Sequence, residues 1–483
     1  VKKLQLIKSM ERHPLCVDLD GTLVKTDCLI EAIFVLLRKN YLFLFLFPSW
    51  LLKGRLHFKF QVFRHADLDP ASLPYNPDVL ALISEQREAG RPVVLATASP
   101  YLIAENVAQY LGLFTSVLAS DETRNLKGEA KAQLLADKFG EKGFDYIGDS
   151  AADIAVWQRS EKAFLVNPSR KTQRRAAKVA NIEKTFSPSR GLLRLIVKQV
   201  RAHQWAKNIL IFLPMFMSYR FIELGIWATC LHAFFAFSAL SSCVYILNDL
   251  LDLESDRRHP DNRNRPFASG DLPLQWGAIL FPSLLLLGIT LSATVSLEFL
   301  ALIIGYFVLT TAYSLRLKQV VLADILILAS LYSWRVIAGA VACQIPLSEW
   351  FVIFAIFFFL SLALVKRCSE LILMAKAKMG KNSRRGYLVS DLPLLLAFGV
   401  SSGYLSVLVL ALYLSTPEVH NINENPRVLW GALPFILYWI SRVWLKAFRG
   451  EMPSDPLVFA IKDRMSYSLI IMIAGLWLIA RGF

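Results

Sequence analysis

Three groups of acidic residues have spacings that suit chemistry. Asp18 and Asp20 stand two apart at the end of the apolar run Leu15-Cys16-Val17. On a strand they point to the same side, at the carboxyl edge where open α/β sheets build their sites. Tyr146-Ile147-Gly148 leads to a similar end carrying Asp149 and Asp153. Val93 to Ser99 reads as another apolar strand ending in a hydroxyl, and Asn125 to Lys131 supplies lysines. Asp249, Asp252 and Asp256 follow at intervals of three and four. On a helix end this spacing puts all three carboxylates on one face, where they can hold Mg²⁺ against a diphosphate. The plain alternative is a hydrated helix end paired with Arg257 and Arg258, but acids at a membrane boundary are costly.

The elements that position these groups divide the chain. It has 483 residues, 55% of them hydrophobic, and 53 Lys+Arg against 38 Asp+Glu give +15. That length favours two domains, and a mean hydropathy of +0.44 excludes a disordered or fibrous protein. Up to about Arg190 charged and apolar residues mix as in an ordinary cytosolic domain; beyond it, long apolar runs alternate with basic stretches. Nine spans are expected, at about 206–222, 225–248, 274–293, 296–314, 320–343, 348–374, 391–415, 425–445 and 465–482. Alternate loops carry Arg257 to Arg265, Arg316 with Lys318, Lys376 to Arg385, and Lys446 to Arg464. The positive-inside bias places those loops and the N-terminal half in the cytoplasm and the C-terminus outside, in a multi-pass inner-membrane protein. It also accounts for the basic charge without nucleic acid. The six cysteines show no metal spacing and read as reduced, mostly buried thiols. Val1 to Arg12 has no apolar core of a secretory signal.

Asp18-Leu19-Asp20-Gly21-Thr22, Thr97, the lysine segment and Gly148-Asp149-Ser150-Ala151-Ala152-Asp153 occur in order over about 150 residues. This resembles the haloacid dehalogenase (HAD) pattern, and implies an α/β, Rossmann-like fold with a helical cap, here about 27–76. The resemblance makes Asp18 the nucleophile and Asp20 the general acid. Thr97 and a lysine (Lys131, with Lys127 the second choice) would bind the phosphoryl group. Asp149 with Asp18 would hold Mg²⁺, with Asp20 beside them and Asp153 in a supporting position. Within the cap, Tyr41 to Leu52 is unusually apolar and too short to span. Flanked by Arg38, Lys39, Lys53 and Arg55, it suits a membrane interface or, equally, a buried cap core.

Asn248-Asp249-Leu250-Leu251-Asp252-Leu253-Glu254-Ser255-Asp256 resembles the first Asp-rich motif, NDxxDxxxD, of the UbiA superfamily of intramembrane prenyltransferases. The likeness covers about 195–483 and implies an all-α, polytopic membrane domain. It assigns Mg²⁺ and diphosphate binding to Asn248, Asp249, Asp252 and Asp256. The loop after the sixth span lacks the family's second DxxxD and reads Lys366-Arg367-Cys368-Ser369-Glu370 instead. Together with Lys207, Arg258, Arg265, Tyr313 and Lys318 in their short motifs, this is similar to the polyprenyl-phosphate phosphoribosyltransferase branch. Those residues, with Lys366 and Arg367, become candidates for binding phosphorylated substrates, although positive-inside topology explains each nearly as well. Arg335, Lys366 and Arg367 stand out because they interrupt apolar spans or lie at their ends.

The resulting expectation is a bifunctional enzyme of two domains, 1–190 and 191–483. The membrane half would transfer 5-phosphoribosyl from phosphoribosyl pyrophosphate (PRPP) to polyprenyl phosphate. The HAD half would then remove the 5-phosphate, giving a precursor of an arabinosyl donor for cell-wall arabinan. The competing readings are an aromatic prenyltransferase with a phosphatase of separate substrate, and a membrane transporter or scaffold.

Overall fold

The computed structural model describes residues 13–187, 191–376, 386–453 and 456–482. Arg190, at the expected domain boundary, and the basic residues Lys378 to Arg385 lie outside them. The chain forms two compact units, Val1–Val200 with Tyr245–Phe281, and Arg201–Val244 with Pro282–Phe483. The segment bearing Asp249, Asp252 and Asp256 thus clusters with the N-terminal unit.

That unit is built on six parallel strands: β1 (Leu15–Val17), β2 (Val93–Pro100), β3 (Ser116–Ser120), β4 (Asp145–Gly148), β5 (Ala163–Val166) and β6 (Ile182–Phe186). Their order is β3-β2-β1-β4-β5-β6. β1 lies centrally, with Val17 opposite Leu95 of β2 and Ile147 of β4. Its alternation feeds two cores: Leu15 and Val17 pack in one with Val93 and Leu95, and Cys16 packs in the other with Val94, Tyr146 and Trp157. Burial on both faces explains why these strands read as continuous apolar runs.

Helices Cys28–Lys39, Phe43–Leu52 and Arg55–Ala66 make the cap. Asp27 caps the first, accepting hydrogen bonds from the Leu29 and Ile30 amides. The second is apolar on every side. Phe43, Phe47 and Trp50 pack against the core, whereas Leu44, Phe45, Leu51 and Leu52 are exposed, Leu52 to 89%. None of its residues is fully buried, so a closed cap core is not what this segment builds.

Among the described residues eight helices are long and apolar enough to cross a membrane: Leu224–Leu251, Gln275–Val295, Leu297–Leu315, Ala323–Ala342, Glu349–Lys376, Val389–Leu414, Pro426–Arg449 and Arg464–Arg481. Where the sequence predicts a first span at 206–222, the chain instead forms a 3₁₀ stretch, Ala202–Phe212, then short helices Leu213–Met217 and Arg220–Ile222. Arg201 and Tyr219 adopt positive φ (55° and 59°), which interrupts regular helix at either side of this run. At Gly339 the stretch comes so near that an added Cβ would collide with the Ile211 carbonyl.

Candidate active sites

The carboxyl ends of β1, β2 and β4 bring the first acidic groups together. Asp18 follows β1, and its amide donates to the Ile147 carbonyl (3.0 Å). Lys131, in the helix Glu129–Phe139, is buried with Nζ 3.0 Å from Asp18 Oδ1 and 3.6 Å from Asp153 Oδ1. The Tyr146 hydroxyl accepts from Lys131 (2.8 Å) and donates to Asp153 (2.9 Å). Asp153 Oδ2 accepts from the Ser150 amide and hydroxyl, so both its oxygens are committed to the protein. By contrast, the Asp149 carboxylate has no hydrogen-bond partner among the described residues. It also fixes the glycine of the first motif: Gly21 has φ +73°, and a Cβ there would strike Asp149.

Burial drives the electrostatics. It raises Asp18 to about 7, against the pull of Lys131, and Asp149 to about 8. Burial opposes the charge on Lys131 too, but Asp18 and Asp153 outweigh it and hold its pKa above the ordinary value. Single oxygens of Asp18, Asp149 and Asp153 lie within 4.8 Å of one another. A partnerless, half-buried Asp149 beside Asp18 fits a hard divalent cation. Asp20 is outside that cluster. Its Oδ1 accepts from the Cys28 amide (2.7 Å) and its Oδ2 from the Ser99 hydroxyl (2.5 Å), which aims the carboxyl without neutralising it. Thr97 is fully buried, and its hydroxyl accepts from the Ser99 amide (3.0 Å). Lys127 is exposed but lines the same cleft, as does Lys59 from the cap, which the sequence reading missed.

The second acidic group has a different arrangement. Asp249 ends the long helix Leu224–Leu251, Asp256 lies in the short helix Leu253–Arg258, and Asp252 between them leaves helical geometry (φ −102°, ψ 14°). Straight helix would set Asp249 and Asp256 about 10 Å apart along its axis. With the break, one nitrogen of Arg265 reaches both, at 3.2 and 2.5 Å. Asp249 also accepts from Gln199 (2.7 Å) and Asp256 from Asn262 (2.9 Å). Asp252 stands apart and more open, 3.9 Å from Arg38. The expected single face of three carboxylates is therefore two buried acids bridged by Arg265, with a third outside, and Asn248 is half-buried beside them. The cations of the plain alternative go elsewhere: Arg257 pairs with Glu31, and Arg258 with Glu254 and Asp69.

In the second unit Lys207, Tyr313, Lys318 and Lys366 are part-buried or at the surface. Arg367 is fully buried, 2.7 Å from a fully buried Asp324 and also paired with Glu370. Asp324 in turn accepts from the Tyr387 hydroxyl. Arg335 donates to Asn208 (2.9 Å), Tyr306 (2.8 Å) and the Leu331 carbonyl. Both intramembrane arginines are thus answered by the protein. Asp324, an acid near the start of a span, was the available signal for the first pairing. Asp463 forms a two-bond pair with Arg442 (2.7 and 2.9 Å).

Family models match the chain twice: haloacid dehalogenase-like hydrolase over residues 15–158, and the UbiA prenyltransferase family over residues 209–470. The uncharacterized protein y4nM of Sinorhizobium fredii is 35% identical over 483 residues, covering 99% of this chain and 93% of its own. Nodulation protein NoeC of Azorhizobium caulinodans is 33% identical over 280 residues, 57% of this chain and 89% of that protein. Decaprenyl-phosphate phosphoribosyltransferase of Mycobacterium tuberculosis is 35% identical over 193 residues, 38% of this chain and 62% of that enzyme. The chain belongs to the UbiA prenyltransferase family and carries a haloacid dehalogenase-like hydrolase domain at its N-terminal side.

Proposed function

We propose that the chain is a bifunctional enzyme that builds a polyprenyl-phosphoryl ribose in two steps. The membrane half transfers 5-phosphoribosyl from PRPP to polyprenyl phosphate, and the HAD half removes the 5-phosphate. One observation carries the reading: the likeness of the membrane half to an enzyme named decaprenyl-phosphate phosphoribosyltransferase. Lys366 to Arg385 holds basic residues and no DxxxD, which suits substrates that bring several phosphates.

In the transfer, a lipid phosphate oxygen attacks C1 of PRPP, the C1–O bond breaks, and pyrophosphate leaves. The nucleophile is already anionic and needs no strong base. Asp249, Asp252 and Asp256 are the residues that would hold Mg²⁺, which supplies charge neutralisation of the leaving pyrophosphate. Arg265 then pairs with phosphate rather than with the two acids, and Arg258 is a second cation for the same purpose. Lys207, Tyr313, Lys318 and Lys366 are the second unit's candidates by residue type. Arg367 already has Asp324 and is assigned to structure.

In the hydrolysis, Asp18 attacks phosphorus and the P–O ester bond breaks as Asp20 protonates the departing alcohol. Water then attacks the aspartyl phosphate, gives its proton to Asp20, and releases phosphate with Asp18 restored. Lys131 and Thr97 hold phosphoryl oxygens. Asp18 and Asp149 would hold Mg²⁺, which offsets the phosphoryl charge, while Asp153 keeps Lys131 and the Asp149 turn in place. Both reactions are assigned to the cytoplasmic face by the basic loops.

The test uses the full chain in nanodiscs with Mg²⁺, polyprenyl phosphate and ribose-labelled PRPP. The label should appear in dephosphorylated lipid, and Asp18→Asn should accumulate the 5-phosphorylated lipid. No ribose in the lipid defeats the transfer reading; no accumulation defeats the sequence of steps.

A further inference from the structure

The cleft over Asp18 and Asp149 has a volume of about 550 Å³, far more than a phosphoryl group fills and in the range that holds a whole small molecule. Its lining includes the reactive edge of the sheet. It also includes two segments beyond the HAD-like region: Leu192 and Leu195 of the helix Leu192–Val200, and Gly270, Asp271, Pro273 and Gln275 from the chain that follows Asp256. The helix links both chemistries on one face, since Leu195 borders the cleft and Gln199, one turn on, donates to Asp249.

The second segment is fastened at three points. The Arg257 guanidinium donates to Glu31 Oε2 (3.1 Å), Glu31 Oε1 (2.5 Å), the Ser72 carbonyl (3.1 Å) and the Ala268 carbonyl (2.8 Å). Glu31 is 1% exposed and also accepts from Thr26, which lines the cleft beside Asp27. Lys25 meets Asp271 at 2.9 Å. Gly270 sits at φ +71°, so close that a Cβ would lie 2.8 Å from Lys25 Cβ. A forked, buried arginine contact of this kind fixes orientation as well as distance.

We propose that Arg257 and Glu31 are a positioning pair that holds residues 266–275 as a specificity-determining wall of the phosphatase cleft. The inference rests on the HAD domain being a phosphomonoesterase, and deepens it. The wall receives the alcohol portion of the ester, with Gln275 facing sugar hydroxyls and Leu192 and Leu195 an apolar appendage. The chain that carries the transferase's acidic motif thereby selects what the phosphatase accepts.

The experiment compares two esters on the full-length enzyme in nanodiscs: p-nitrophenyl phosphate, which is small, and a 1-O-octyl ribofuranoside 5-phosphate, which reaches the wall. Arg257→Gln and Glu31→Gln should each raise KM for the octyl ester about ten-fold with kcat held within about two-fold, leaving p-nitrophenyl phosphate hydrolysis within about two-fold. The double variant should be no worse than either single one, because the pair acts as a unit. If these variants do not fold, Gly270→Ala decides, and it should lower the octyl-to-nitrophenyl ratio of kcat/KM similarly. An equal loss for both esters, or an unchanged ratio, overturns the wall. Absence of any Asp18-dependent hydrolysis in the parent overturns the phosphatase reading and the wall with it.

Discussion

The two acidic centres of the first unit use the same side chains to different ends. At the sheet edge, Asp18 and Asp153 share one lysine, and the protein commits Asp153 while leaving Asp149 without a partner among the described residues. At the helix break, Arg265 already bridges Asp249 and Asp256, and Gln199 and Asn262 take further lone pairs. The first is poised for a cation because negative charge exceeds positive in a buried place. The second is latched by its own arginine, so under the proposed function a diphosphate with its cation would have to displace Arg265. Carboxylate count alone does not distinguish these states; the partner of each oxygen does.

The largest effects should separate the centres completely. Asp18→Asn should lower phosphomonoester hydrolysis by about 10³-fold or more and leave ribosyl transfer intact. Asp249→Asn should do the reverse, with transfer falling about 10²-fold or more, read by labelled ribose in the lipid. Loss of both activities in either variant breaks the comparison. Between these in subtlety, cation binding at the sheet edge must displace protons from groups whose burial raises them to about 7 and about 8. A raised carboxylate is protonated below its pKa, so half-saturating Mg²⁺ for hydrolysis should climb as pH falls below about 8. A flat dependence would show that Asp149 is not a ligand.

Asp324→Ala tests an arginine whose charge is answered by structure. It takes the buried acid from Arg367 and leaves it only the more exposed Glu370, and should cost roughly 3 kcal/mol of stability, seen as a lower melting temperature in detergent. If instead KM for PRPP alone rises, Arg367 belongs with Arg265 as a ligand. The smallest effect is expected at the cap. Exposed Phe45 and Leu52, flanked by Arg38, Lys39, Lys53 and Arg55, suit a bilayer interface. Phe45→Ser with Leu52→Ser should slow hydrolysis of a lipid-linked ester about three-fold and spare p-nitrophenyl phosphate; equal slowing of both argues for a packing role.

Three neighbouring strands of the sheet, β2, β1 and β4, were legible because their signals are local, whereas β3, β5 and β6 carry none of the motif residues. Short apolar runs ending in Asp18 and Asp149 place those residues at adjacent strand ends whatever the loops do, while Thr97 lies inside the neighbouring strand, Val93–Pro100. Eight long apolar helices were legible for the same reason, since a span requires only length and composition. The 206–222 segment misled because its composition is that of a span, while Arg201 and Tyr219 turn the backbone out of the helical region. Tyr146 was hidden inside a strand that reads as apolar, and only burial reveals its hydroxyl between Lys131 and Asp153.

The inventory follows from the residues alone: an α/β domain with the HAD set of acids, and a polytopic membrane domain of the UbiA family with one acidic motif and a basic run, Lys366-Arg367, in place of a second; the structure puts that run inside the helix Glu349–Lys376 rather than in a loop. Residue type and close spacing carry that much, because strand ends and helix turns are made by neighbours in the chain. Which charges meet is set by the packing of distant segments. Arg265 with Asp249 and Asp256, Arg257 with Glu31, Gln199 with Asp249 and Arg367 with Asp324 are pairings in which burial removes water as the competing partner. Desolvation makes an unanswered charge expensive, so the fold selects one partner for each group, and no local pattern records that choice.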